Sequence, residues 1–351
     1  MDMNRRRLAL GLGGITMAGA AAAAAPAGAM PFFKKEEAGV AAGAAEKAVK
    51  AAFEKYRGLQ EGKNADYIPA LAKVPSSLFG IALVTPGGQQ ATAGDIDSPF
   101  SIQSISKVFT MILVMQESGP QKIEETVGVD ATGRVFNSIE AIEQYKGKEM
   151  NPLVNPGAIA TVGNVKGASA DEVWKKILAI HSAFAGRQLE VNQEVYKSES
   201  DTNQRNRAIS ALMSAYERFP GDPAQAVDLY TRQCSINVTA KDLGVMAATM
   251  ANGGKNPVSK QQIVEPKLIA HALAVMATAG LYDDSGKWLF HTGLPAKSGV
   301  GGGLMAVSPG KFGVGTFSPP LDEAGNSVRG QRAITDISTA LNGNPYLVRP
   351  V

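Results

Sequence analysis

The stretch FSIQSISKVF, residues 100–109, sets three serines ahead of one lysine. Ser104 stands three residues before Lys107, so a helix beginning near Ser104 brings both side chains to one face. Ser101 and Ser106 lack that relation to the lysine. A serine oxygen at a helix N-terminus also gains from the positive end of the dipole as it becomes anionic. Lys107 can take the serine's proton only as a neutral amine. The apolar run VFTMILVM, residues 108–115, offers the burial that lowers an ammonium pKa. Spacing alone is weak, since Ser308 and Lys311 show it too, in SPGK, where a turn explains them. An isolated pair of this kind reads as an N-cap serine beside a solvated lysine.

Two later motifs change that balance. Serine and lysine at this spacing act as nucleophile and base in serine β-lactamases and penicillin-binding proteins. SIN, Ser235 to Asn237, resembles the second motif of those enzymes, and KSG, Lys297 to Gly299, resembles the third. They follow in the right order, and KSG falls in a strand pattern. In such folds that strand supplies an N–H to an oxyanion hole, here from Val300, together with the N–H of Ser104. The three motifs together point to acyl transfer.

The surrounding patterns fit an α/β chain. Residues 38–57 read as an alanine-rich amphipathic helix. LFGIALVT, residues 78–85, followed by PGG and QQATAGD, reads as a β-hairpin. Helical periodicity starts with SISKVFTMILVMQESG and dominates to about residue 280, clearest in ADEVWKKILAIHSAFAG and TAKDLGVMAATMANGG. Beyond it, GLPAKSGVGGGLMAVSPGKFGVGTFSPP alternates small and apolar residues around glycine turns, as paired strands do. Strands at both ends with helices between them predict one antiparallel sheet built from both ends of the chain. A large helical insertion, roughly 107–285, interrupts it. The glycine tract fails as a phosphate loop: Met305 stands five residues before Gly310, and Phe312 follows Lys311 where Ser or Thr is required.

Composition narrows the function. Hydrophobic residues make up 44% and charged residues 19% of the 351, enough to bury a sizeable core. The net charge is +3, and residues 1–29 carry Arg5, Arg6 and Arg7 against Asp2, leaving +1 for the rest. That balance argues for neither nucleic acid nor an anionic membrane as partner. MNRRRLALGLGGITMAGAAAAAAPAGAM, residues 3–30, has the basic head, weakly apolar middle and small-residue end of an export signal cleaved after Ala29. The paired arginines favour twin-arginine over Sec export, and the interrupting glycines disfavour a membrane anchor. Residues 30–351 then form a single catalytic domain in the periplasm or outside the cell. Cys234 is the only cysteine, so no internal disulfide can form, and with no histidine near it in sequence it reads as a buried, idle thiol. His181, His271 and His291 show no metal-ligand spacing.

From about Gly62 to Gly330 the chain resembles the serine-dependent glutaminases, which share the β-lactamase-like fold. The segments carrying this are ADYIPALA, FSIQSISKVF, NPLVNPGAI, VYKSESDTNQRNRA, DLYTRQCSINVTAKDLGVMAATMANGG, GLYDDSGKW and GLPAKSGVGGGLMAVSPGKFGVGTFSPPLDEAGNSVRG, in that order. The resemblance implies Ser104 as nucleophile and Lys107 as its partner, with Tyr67 and Tyr282 lining the reacting centre and sharing the proton transfers. It implies a substrate grip of Asn155, Glu199, Asn206 and Tyr230, with the main chain of Val300 on the substrate. These types suit L-glutamine: Glu199 meets the α-ammonium by a charge-assisted hydrogen bond, and the amides and hydroxyl meet the α-carboxylate. No metal or organic cofactor is implied, and a homo-oligomer, dimer or tetramer, is. Two departures stand out. Pro156 follows Asn155 where the family usually has alanine, which restricts the asparagine's aim. The export signal is unusual for a family that commonly works in the cytoplasm or mitochondria. A cell-wall acyl-transfer enzyme or β-lactamase, and a non-catalytic glutamine binder, are the competing expectations.

Overall fold

The computed structural model describes residues 40–148 and 150–348. The segment expected to be an export signal, residues 1–29, lies outside the described residues. Within them the strands are β1 (Gly80–Val84), β2 (Gln90–Gly94), β3 (Phe100–Ser101), β4 (Asn237–Val238), β5 (Ala296–Ser298), β6 (Gly303–Ser308) and β7 (Phe312–Phe317). Five of them form an antiparallel sheet in the order β2-β1-β7-β6-β5. β1 lies beside β7 with Ala82 opposite Gly315, so the sheet is stitched from the two ends of the chain as the alternation predicts.

Period-2 alternation sorts the side chains between two apolar layers. Ile81, Leu83, Leu304, Ala306, Phe312 and Val314 face outward. There they pack beneath the Ala42–Tyr56 helix, through Val49 and Ala52, and the Val328–Ala340 helix, through Ala333, Ile334 and Ile337. That last helix is absent from the sequence reading, whose helical patterns end before the final strands. It is needed because a sheet buried on both faces must be covered on both.

Ala82, Met305, Val307 and Phe317 face the other way, into the larger core shared with the helical region. The Ala240–Ala251 helix lies directly on this face. Glycines allow the approach: a Cβ on Gly315 would stand 2.5 Å from the Gly244 nitrogen, and one on Gly313 would stand 2.1 Å from the Ala248 nitrogen. Thr239 and Asp242 start that helix with a reciprocal capping box. The Ser308–Lys311 turn between β6 and β7 is a hairpin, as the failed phosphate-loop spacing requires.

Candidate active site

β3 and β4 form a two-stranded ladder, with Ser101 opposite Asn237, that leads straight into the Ser104 segment. The chain then turns through a 3₁₀ turn, Gln103–Ile105, before the α-helix Ser106–Ser118 begins. Ser104 therefore sits one turn ahead of the helix proper, not inside it. The Ser106 hydroxyl donates to the Gln103 carbonyl at 2.7 Å and stiffens this entry. Gln103 itself adopts φ 50°, the left-handed region that costs a non-glycine residue about 1 kcal/mol or more. SIN serves this same entry from below: the Ile236 carbonyl accepts from the Ile102 N–H at 2.8 Å, and the Ser235 hydroxyl donates to Thr231. Its serine is buried in that role rather than offered to the pocket.

A pocket of about 340 Å³ opens over Ser104, lined also by Tyr67, Gln103, Phe136, Asn155, Glu199, Asn206, Tyr230 and Val300. Tyr67 stands at its mouth, 57% exposed. Lys107 lies fully buried, donating from Nζ to Asn155 Oδ1 at 2.7 Å, and stands 5.7 Å from the centre of the Tyr230 ring. Burial lowers its pKa to about 8, against the opposing pull of Cys234 and Glu199. Roughly a tenth of such a lysine is neutral amine at pH 7.

Asn155 is the hub of the grip. Its Oδ1 also accepts from the Tyr230 hydroxyl at 3.1 Å, and its Nδ2 donates to Asn206 Oδ1 at 3.0 Å. With its oxygen occupied, Asn206 keeps its amide N–H groups for an incoming carboxylate. Pro156 takes a place in the first turn of the Asn155–Gly163 helix, where a missing N–H costs nothing, and Asn155 holds all three of these bonds.

Glu199 is buried, and burial raises its pKa to about 7, with hydrogen bonding from Gln103 and the charge of Lys107 opposing the rise. Gln103 Nε2 donates to Glu199 Oε2 at 3.2 Å and to the Ser101 hydroxyl at 3.2 Å, fixing the carboxylate's aim. Sequence reasoning passed over Gln103 although it stands within the opening stretch. Its neighbour relation to Ser104 was the one signal available.

KSG brings the Val300 N–H toward that of Ser104, the two expected oxyanion donors. A Cβ on Gly299 would stand 2.7 Å from the Ile102 carbonyl oxygen and 3.4 Å from the Ser104 nitrogen, so the end of β5 presses against the backbone of Ser104. Among the described residues, neither the Ser104 nor the Val300 N–H is donated to a protein acceptor. Tyr282 closes the other side, its ring 4.9 Å from that of Phe136 and its hydroxyl 3.4 Å from the Ser298 carbonyl. Burial pushes this phenol up to about 12, with hydrogen bonds to Ser104 and Ser298 drawing it back. Cys234 is buried and its thiol is pushed up to about 12 by desolvation, which leaves it inert at neutral pH. His181 is buried between the carbonyls of Ile177 and Ser106, while His271 and His291 are exposed.

A serine with free oxyanion donors, a buried lysine base, and a carboxylate set apart from an amide cluster can grip an amino acid at both its charged groups and attack an acyl carbon beyond them. Comparison with known proteins agrees. A family profile described as Glutaminase matches residues 62–346. The glutaminase of Colwellia psychrerythraea is 54% identical over 295 residues, spanning 84% of this chain and 95% of that one. The glutaminase of Brucella canis is 52% identical over 306 residues, spanning 86% and 96%. Among solved structures, a probable glutaminase, ybaS, superposes with a TM-score of 0.86 at 43% identity, over 88% of this chain and 99% of that one. A probable glutaminase from Bacillus subtilis complexed with 6-diazo-5-oxo-L-norleucine superposes with a TM-score of 0.77 at 29% identity, over 87% and 97%.

Proposed function

This chain belongs to the glutaminase family and hydrolyses glutamine, and we propose that it does so through an ester on Ser104. The observation that carries this reading is the buried Lys107, its pKa lowered to about 8, three residues beyond a serine that lines the pocket, with the N–H groups of Ser104 and Val300 undonated among the described residues.

L-Glutamine enters with its α-ammonium on Glu199 and its α-carboxylate on the remaining amide N–H groups of Asn155 and Asn206, while the Tyr230 hydroxyl, donated to Asn155 Oδ1, braces that grip. The neutral amine of Lys107 accepts the Ser104 proton, directly or through the Tyr282 hydroxyl. Ser104 Oγ attacks the side-chain amide carbon, and the oxyanion settles on the N–H groups of Ser104 and Val300. The C–N bond breaks as the departing nitrogen receives a proton from the Lys107/Tyr282 pair, and ammonia leaves. Water then attacks the glutamyl ester, giving a proton to the same pair, which passes it to Ser104 Oγ as the ester C–O bond breaks and L-glutamate leaves. A phenol held near 12 stays protonated at neutral pH, which suits Tyr282 to relaying a proton rather than holding a charge. Tyr67 lines the mouth of the pocket through which the substrate enters.

The basic, alanine-rich segment at residues 3–30 supports export before the enzyme works, and the family resemblance supports a homo-oligomer. Fractionation of cells expressing the full chain tests the first, and light scattering of the purified enzyme tests the second.

The decisive experiment measures ammonia and glutamate release from L-glutamine by residues 30–351 and by Ser104→Ala. Equimolar release that disappears in a folded Ser104→Ala protein is expected. Undiminished release by the variant would remove Ser104 as nucleophile. Hydrolysis of nitrocefin in place of glutamine would turn the site toward cell-wall or lactam chemistry.

A further inference from the structure

KSG contains a second buried lysine that the reaction above does not use. We propose that Lys297 is a positioning residue for Tyr282, holding its ring and hydroxyl where they serve the proton transfers at Ser104; the inference rests on the glutaminase reading. Lys297 is fully buried on β5, on the opposite side of the strand from Ala296 and hence on the site's side of the sheet. Its Nζ donates to the Gly280 carbonyl at 2.9 Å and to the Ser298 carbonyl at 2.8 Å. The same nitrogen stands 4.1 Å from the centre of the Tyr282 ring.

Each of these contacts bears on Tyr282. Gly280 is two residues before it, so the first bond pins the main chain that delivers the ring. The approach is close enough that a Cβ on Gly280 would stand 1.7 Å from the Ala296 carbonyl oxygen. The Ser298 carbonyl is the same oxygen that the Tyr282 hydroxyl meets, so the second bond fixes the phenol's partner. In the third contact the end of the side chain packs over the ring face and limits how the ring can tilt. Tyr282 needs such holding, because it sits at φ 54°, a backbone conformation that a bulky residue keeps only when its surroundings impose it.

A buried lysine is costly without a carboxylate partner, and among the described residues none pairs with Lys297. Burial lowers its pKa well below the ordinary lysine value. The positioning role survives that change, since a neutral amine still offers two N–H groups to the two carbonyls.

The test is a double-mutant cycle on glutamine turnover, with Lys297→Met, Tyr282→Phe and both together in the folded enzyme. Lys297→Met is expected to lower kcat by about 10- to 100-fold while KM moves less than about threefold. On the Tyr282→Phe background the same change should lower kcat by less than about threefold, because the hydroxyl it serves is already gone. Equal losses on both backgrounds would overturn the proposal, as would a raised KM with kcat intact. Lys297→Gln, which keeps two N–H donors, should fall between wild type and Lys297→Met. If Lys297→Met does not fold, the cycle run with Lys297→Gln decides by the same criterion. Wild-type and Ser104→Ala reactions in the same assay separate failure of this proposal from failure of the serine mechanism.

Discussion

The two faces of the sheet are built on opposite terms. The outer face is mostly apolar and buries no ionisable group of the sheet, with Ile81, Leu83, Leu304 and Val314 packed beneath the two terminal helices. The inner face adjoins a region that buries Lys107, Lys297 and Glu199 along with Asn155, Ser104 and Gln103. Burial of a charge is expensive, and all three ionisable groups show it by shifting toward their neutral forms. One face therefore supplies stability that the other spends, as active sites commonly require.

Lys107→Met would break this contrast most visibly. Steady-state assay should show kcat lowered by at least about 10³-fold, since the base is gone. The same protein should be more resistant to urea near pH 7, by about 1–3 kcal/mol. The sign follows from the lowered pKa. The unfolded chain holds the lysine proton up to the ordinary 10.5, whereas the folded chain releases it at about 8. The cost to folding is therefore fully present below about 8 and fades as the pH rises toward 10.5. A less stable Lys107→Met protein would show that the Asn155 bond outweighs desolvation.

Glu199→Gln sharpens the same contrast from the binding side. Loss of the charge-assisted bond to the α-ammonium should raise KM by about 10- to 100-fold with a smaller effect on kcat. In the wild type, KM should rise as the pH falls through about 7, where Glu199 takes up a proton, and the limb in kcat near 8 should remain with Lys107. In Glu199→Gln the KM limb should vanish and the kcat limb should stay. Retention of both limbs would assign the lower one to another group.

On the outer face, Ile334→Ala should lower stability by about 2–5 kcal/mol in urea unfolding, through lost burial and the cavity left behind. Its kcat and KM at a temperature where it remains folded should match the wild type. A changed KM would mean that the two faces are coupled through the sheet.

Much of this molecule was legible in its residues. The Ser104–Lys107 spacing, the KSG strand and the hairpin glycines are local patterns, and local patterns survive in one dimension. The C-terminal helix Val328–Ala340 escaped because its apolar face has meaning only once there is a sheet to cover. Gln103 escaped for a similar reason, and Lys297 was read only as the first residue of KSG, with no role of its own. The part each plays emerges once Glu199, 96 residues on from Gln103, or Gly280, 17 residues back from Lys297, arrives beside it.

By itself the sequence determined most of the strands, turns and helices, the helix Val328–Ala340 excepted, because backbone preference and apolar period act over a few residues. It also singled out Ser104 and Lys107 as the candidate nucleophile and base, through three ordered motifs. Tertiary structure alone decided how those groups behave. Lys107 is suited to act as a base because the fold buries it completely, beside Leu153 and Asn155, 46 and 48 residues away, and burial disfavours its charged form. Glu199 becomes a titrating carboxylate near neutrality through similar enclosure. Desolvation depends on everything that surrounds a group, and in a folded chain those surroundings come from distant parts of the sequence.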